Sequence, residues 1–177
     1  ANNGKGVTIA IVDTGVNPNH VELAGRVSSQ STCVATGNCG MGYLDTNFHG
    51  TFVASIAAGS QNGTGIVGVA PLATILAVKI AQPSGSAYTN DENTGLLTAA
   101  QRGAQVINLS YGSFFGPSTT PSYAAYNTSL VSTLNAVAAQ GSTTVIAGGN
   151  SSTTFMDNVN QGGLVRRPCP ACCLSDR

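Results

Sequence analysis

Three residues far apart in the chain carry side chains that together could run an acyl transfer. Asp13 closes the apolar run Gly6-Val7-Thr8-Ile9-Ala10-Ile11-Val12 and is followed by Thr14-Gly15. His49 opens the small-residue segment His49-Gly50-Thr51-Phe52-Val53-Ala54. Asn150 closes a second apolar run, Thr144-Val145-Ile146-Ala147-Gly148-Gly149. Such a reaction needs a nucleophilic hydroxyl, a base to take its proton, a carboxylate to hold the base and donors for the developing oxyanion. His49 suits the base, because it sits where a helix begins with only small neighbours. Asp13 suits the orienting acid, because a strand end fixes a side chain more firmly than a loop. Asn150 carries a side-chain amide at a predicted strand end. Alone, each residue would more often be structural; their order and flanking residues give them weight.

The elements that must position these residues follow from apolar periodicity. Residues 7–12 are short, apolar and β-branched, as in a strand buried on both faces. Residues 51–58 repeat Phe52, Val53, Ile56 and Ala57 at helical spacing, with Gly59 as a stop. Residues 73–80 read as a strand, 94–101 as a helix facing inward through Leu96, Leu97 and Ala100, and 106–110 as a strand. Residues 123–139 give the strongest helix, lined by Tyr123, Tyr126, Leu130, Leu134, Val137 and Ala138, with Gly141 just past its end. Residues 143–147 form the next strand. Strands alternating with helices predict an α/β fold: three layers, a mostly parallel sheet with helices on both faces. Ligands of such sheets gather outside the carboxyl ends of the strands. Asp13, Ser110 and Asn150 each lie at or just past such an end, so one sheet edge collects all three.

Composition bounds the alternatives. The chain has 177 residues, enough for one domain with a core. Its net charge is zero and only 8% of residues are charged, so no basic surface for nucleic acid is expected. No run of 18 apolar residues suggests a membrane span. Cys33 and Cys39 bracket the loop Val34-Ala35-Thr36-Gly37-Asn38; a local disulfide there fits an oxidising compartment, with two free thiols as the alternative. Asp45, Asp91 and Glu92 read as solvated loop carboxylates.

Taken together, the motifs resemble the subtilisin-like serine proteases (subtilases, peptidase S8). Ile11-Val12-Asp13-Thr14-Gly15, with the following Asn17-Pro18-Asn19-His20-Val21-Glu22-Leu23, resembles the family's aspartate motif. His49-Gly50-Thr51-Phe52-Val53-Ala54 resembles its histidine motif, with Phe52 where a second, non-catalytic histidine is usual. Gly65-Ile66-Val67-Gly68-Val69-Ala70-Pro71 resembles the segment leading into the next core strand. Asn108-Leu109-Ser110-Tyr111-Gly112 resembles the strand lining the primary specificity pocket, and Ala147-Gly148-Gly149-Asn150 the oxyanion motif. The likeness covers residues 4–155. It implies a serine endopeptidase in which His49 takes the serine proton, Asp13 holds its tautomer and Asn150 donates to the oxyanion. Backbone at Ser110, Tyr111 and Gly112 would pair with an extended substrate, and Tyr111 would wall the pocket. The resemblance further implies a secreted, extracellular monomer acting on protein or peptide, with no nucleic-acid or membrane partner. It requires no cofactor and no catalytic metal; it allows structural calcium, for which the sequence singles out no ligands.

One part of the family pattern is absent from these residues. The Gly-Thr-Ser-Met-Ala-type segment that carries the nucleophile does not occur, and Ser110, Ser151 and Ser152 stand in other contexts. The expectation is an inactive fragment, residues 1–155 being the N-terminal portion of a peptidase domain that lacks its C-terminal part. Residues 156–177, with Arg166, Arg167, Cys169, Cys172 and Cys173, read as an aberrant or disordered tail, of the kind an out-of-frame translation leaves. Cys169 and Cys172 have half the spacing of a zinc site but no matching second pair. The alternative is a non-catalytic pseudo-protease that at most binds peptide. An aspartic protease would need a second Asp-Thr-Gly and a β-dominated chain, and a nucleotide-binding domain would need a Gly-rich loop after the first strand.

Overall fold

The computed structural model describes residues 2–112, 121–147 and 172–174. Six strands form one sheet: β1 (Thr8–Asp13), β2 (Thr32–Cys33), β3 (Thr74–Lys79), β4 (Val106–Leu109), β5 (Thr143–Ile146) and β6 (Cys172–Leu174). Three helices accompany them: α1 (His49–Ala58), α2 (Thr89–Gln101) and α3 (Pro121–Ala139). The strand order is β2-β3-β1-β4-β5-β6 and every pairing is parallel. β1 is central, with Asp13 opposite Lys79 on one side and Val12 opposite Leu109 on the other.

The pleat of β1 divides the core. Ile9 and Ile11 face α1 and pack with Leu23, Ala54, Ala58, Ile75 and Ala77. Ala10 and Val12 face the other way and pack with Leu76, Val78, Leu96, Ile107, Leu130 and Leu134, beneath α2 and α3. Helices therefore cover both faces. The chain leaves β1 for β3 on one side and later crosses back to β4 on the other. Right-handed crossovers running in opposite directions must lie on opposite faces, and the carboxyl ends of the strands at such a switch are left open for ligand. At α2 the helix comes close: a Cβ on Gly95 would stand 2.5 Å from Ile80 Cγ2 and 2.9 Å from Val12 Cγ1.

Three sequence expectations change. The inward side of α1 is Gly50, Thr51, Ala54, Ser55 and Ala58, not the larger residues. Phe52 and Ile56 are exposed, because the helix sits too near the sheet for large side chains beneath it. α2 starts five residues earlier than read, at Thr89, and takes in Asp91 and Glu92, which are buried. Asp91 accepts from Thr36 N and Thr36 Oγ1 at 2.8 and 2.7 Å, tying the Cys33–Cys39 loop to α2; that loop is closed by a disulfide between Cys33 and Cys39. Glu92 meets the Tyr126 hydroxyl at 3.2 Å across the α2–α3 contact. Within 156–177 no element was expected, yet Cys172–Leu174 pairs with β5 as β6; the rest of that stretch lies outside the described residues.

Burial pushes the Glu92 carboxyl up to about 7, against a smaller opposing effect of the Tyr126 hydrogen bond. Below pH 4.5 it is protonated in folded and unfolded chain alike; above that the unfolded chain ionises first. Stability should fall as pH rises from 4.5 to about 7, by on the order of 3 kcal/mol at most. Glu92→Gln should flatten that part of the profile in urea melts, and an unchanged slope would refute the assignment.

Candidate active site

Asp13 is the last residue of the central strand and is fully buried. Its Oδ1 accepts the Thr14 N–H at 2.6 Å and meets His49 Nδ1 at 2.8 Å. With Oδ1 the acceptor in both bonds, the imidazole proton belongs on Nδ1, which leaves the ring lone pair on Nε2. The His49 side chain is 47% exposed, so one side of the ring is held and the other is accessible. Burial pushes the Asp13 carboxyl above its ordinary range; hydrogen bonds from His49 and Thr14 draw it back without cancelling that effect. Its Oδ2 is buried without a partner among the described residues. A carboxylate held this way gains from a cation beside it, so a proton arriving on His49 stabilises the pair in the charged form.

Local sequence explains the geometry. Gly15, at φ +112°, brings the following chain under the 43–45 loop; a Cβ there would lie 2.5 Å from the Tyr43 carbonyl oxygen. Gly50 lets α1 start against the end of β1, where a Cβ would collide with the Gly15 carbonyl oxygen and stand 3.1 Å from Asp13 Oδ1. Thr14 Oγ1 accepts the Gly50 N–H at 2.9 Å, joining the strand end to the first turn of the helix.

Ser110 follows β4 at the same sheet edge, one strand from Asp13. Asn108 Nδ2 donates to Ser110 Oγ at 2.8 Å. The Tyr111 ring meets the His49 ring edge-on, centroids 6.4 Å apart, and its hydroxyl donates to the Gly85 carbonyl at 2.8 Å. Burial, and then the negative charges of Asp13, Glu92 and Asp45, raise the Tyr111 hydroxyl's affinity for its proton. Tyr111 thus stands beside the His49 ring, and Gly112 follows it in the chain. Asn150, Ser151 and Ser152 lie outside the described residues.

Sequence reading missed two residues here. Asp45 is half-buried and hydrogen-bonded, not solvated. Lys79, opposite Asp13 in the sheet, is buried and donates from Nζ to the Leu44 carbonyl at 3.0 Å. A charged residue closing an apolar strand was the available signal for Lys79.

With the geometry in view, comparison with known proteins decides the family. Residues 4–173 match the Subtilase family, Peptidase_S8. The chain belongs to the subtilase family. Thermitase of Thermoactinomyces vulgaris is 40% identical over 159 residues, covering 85% of this chain and 50% of thermitase. The thermophilic serine proteinase of Bacillus sp. (strain AK1) is 40% identical over 153 residues, covering 85% of this chain and 35% of the relative. The solved structure of sphericase superposes with a TM-score of 0.72 at 28% identity, covering 97% of this chain and 53% of sphericase. The chain therefore spans about half or less of the length of these relatives. The subtilase fold, a parallel sheet between helices, is what the strand and helix order describes.

The close contact at Gly50 is testable. Gly50→Ala should cost about 1–3 kcal/mol and separate His49 from Asp13. In proton NMR the low-field Nδ1 resonance of His49 should disappear while the helical circular dichroism remains; a retained resonance would contradict the geometry.

Proposed function

We propose that this chain carries the acid and base of a subtilisin-type serine endopeptidase and does not hydrolyse peptides by itself. The observation that carries the reading is the 2.8 Å bond between His49 Nδ1 and Asp13 Oδ1, at the sheet edge of a subtilase chain, with about half of the His49 side chain exposed. In the reaction His49 Nε2 takes the proton of a serine hydroxyl as it attacks the peptide carbonyl, then returns it to the leaving amine. Asp13 holds the ring and offsets its charge. Asn150 is assigned the oxyanion, and the backbone of Ser110–Gly112 pairs with an extended protein or peptide substrate. The missing step is the attack, since no family serine segment occurs in the 177 residues. What the chain retains supports, at most, peptide binding. The disulfide between Cys33 and Cys39 supports a secreted protein matured in an oxidising compartment.

We infer that the structural calcium the family allows would sit beside Glu22, whose charge also acts on the Arg26 guanidinium. Glu22 is buried and its Oε2 has no hydrogen-bond partner among the described residues. Its Oε1 fills the place that a Cβ on Gly65 would take, so the carboxylate lies against the Gly65 backbone. Calcium is bound by oxygen, from carboxylates, side-chain amides and carbonyls. Glu22 and backbone carbonyls of the 62–65 loop would hold it, the Asn62 side-chain oxygen being engaged by the Thr64 N–H and hydroxyl, and its contribution would be to brace the loop after α1.

Two measurements test these readings. A fluorophosphonate probe should leave the purified chain unlabelled, since loss of a triad member leaves only roughly 10³–10⁴-fold catalysis over water; stoichiometric labelling would overturn the inactive assignment. Calcium should raise the melting temperature, by an amount matching about 2.7 kcal/mol at a hundredfold excess over Kd, and Glu22→Gln should abolish the rise. An equal rise in both proteins would refute the site.

A further inference from the structure

α1 begins in a conformation that its own sequence does not favour. Its N-cap is Phe48, at φ +76° and ψ −17°, with no side-chain capping hydrogen bond. Among the described residues only Asn3 and Phe48 combine positive φ with a non-glycine side chain. Asparagine tolerates that region, whereas a bulky residue there is an outlier that persists only when the surroundings over-determine it. The Phe48 ring is not the restraint, because the residue is 80% exposed.

The restraint is visible three residues earlier. Asp45 Oδ1 accepts the N–H groups of Asn47 and Phe48 and the Thr14 hydroxyl, each at 2.9 Å. Asp45 Oδ2 accepts the Thr51 N–H at 2.9 Å and the Thr51 hydroxyl at 2.5 Å. One carboxylate therefore satisfies the N–H of the cap residue and of the third helical residue, the work a capping side chain does. It also grips Thr14, whose Oγ1 receives the Gly50 N–H. Burial would push Asp45 up, but hydrogen bonds from Thr51, Asn47 and Thr14 outweigh it and hold the carboxyl below its ordinary range. The loop is seated from behind by Lys79 Nζ on the Leu44 carbonyl and by the Val16 N–H on the Tyr43 carbonyl.

We propose that Asp45 is a positioning residue: it caps α1 from outside the helix and holds Phe48 left-handed, so that His49 leaves the loop aimed at Asp13. The role rests on the reading of His49 as the base. The positioning is measured on the His49–Asp13 bond, which exists whether or not the chain cleaves anything, so the two can fail separately.

The test is a double-variant comparison on the full chain, reading the low-field Nδ1 proton of His49 by NMR and the fold by circular dichroism. Asp45→Ala should lose the resonance with helices retained, and adding Phe48→Gly should restore it, because glycine adopts φ near +76° without a restraint. Phe48→Gly alone should keep it. A resonance that survives Asp45→Ala, or one that Phe48→Gly fails to restore in a folded double variant, overturns the proposal. If Asp45→Ala does not fold, Asp45→Asn is read in the same way. If neither folds even with Phe48→Gly, Asp45 is a general support and the proposal is again overturned.

Discussion

A fully buried carboxylate at the end of the central strand sets the terms for everything around it. Asp13 has no water to face, so it must find donors within the protein. It finds two, the Thr14 N–H and the His49 ring, both on Oδ1. Each donor imposes a local structure. The Thr14 bond requires the chain to turn immediately after β1, which Gly15 permits. The His49 bond requires a helix to begin within touching distance of that turn, which Gly50 permits. The small inward residues of α1 continue the same requirement along the helix. They let it lie close to the sheet, and they put Phe52 and Ile56 outside.

The chemistry proposed for His49 depends on this rigidity. A base works only if its ring is held within hydrogen-bond reach of its reactant, in one tautomer. Here the carboxylate holds Nδ1, while about half of the His49 side chain stays exposed. Tyr111, two residues past β4, donates its hydroxyl to the Gly85 carbonyl and sets its ring edge-on to that of His49. Buried carboxylates elsewhere do different work: Glu92 and Asp91 join α2 to α3 and to the disulfide loop. Their burial made the start of α2 illegible, because two acidic residues side by side read as a solvated turn.

The sequence by itself determined the alternation of strands and helices, and so a parallel sheet covered on both faces. Repeating apolar runs of strand and helix period have no other way to bury themselves. It also determined that Asp13 and Ser110 reach one edge, because parallel strands all end on the same side. Tertiary structure decided which face of α1 turns inward, since that depends on how near the sheet lies, and a pattern of Phe, Val, Ile and Ala does not encode distance. It decided that Asp45 would cap a helix it does not belong to: capping patterns are local, and this carboxylate acts from three residues outside the cap through a loop folded over the end of β1. It decided the partner of Lys79 for the same reason, because the Leu44 carbonyl is far away in sequence and adjacent only after folding.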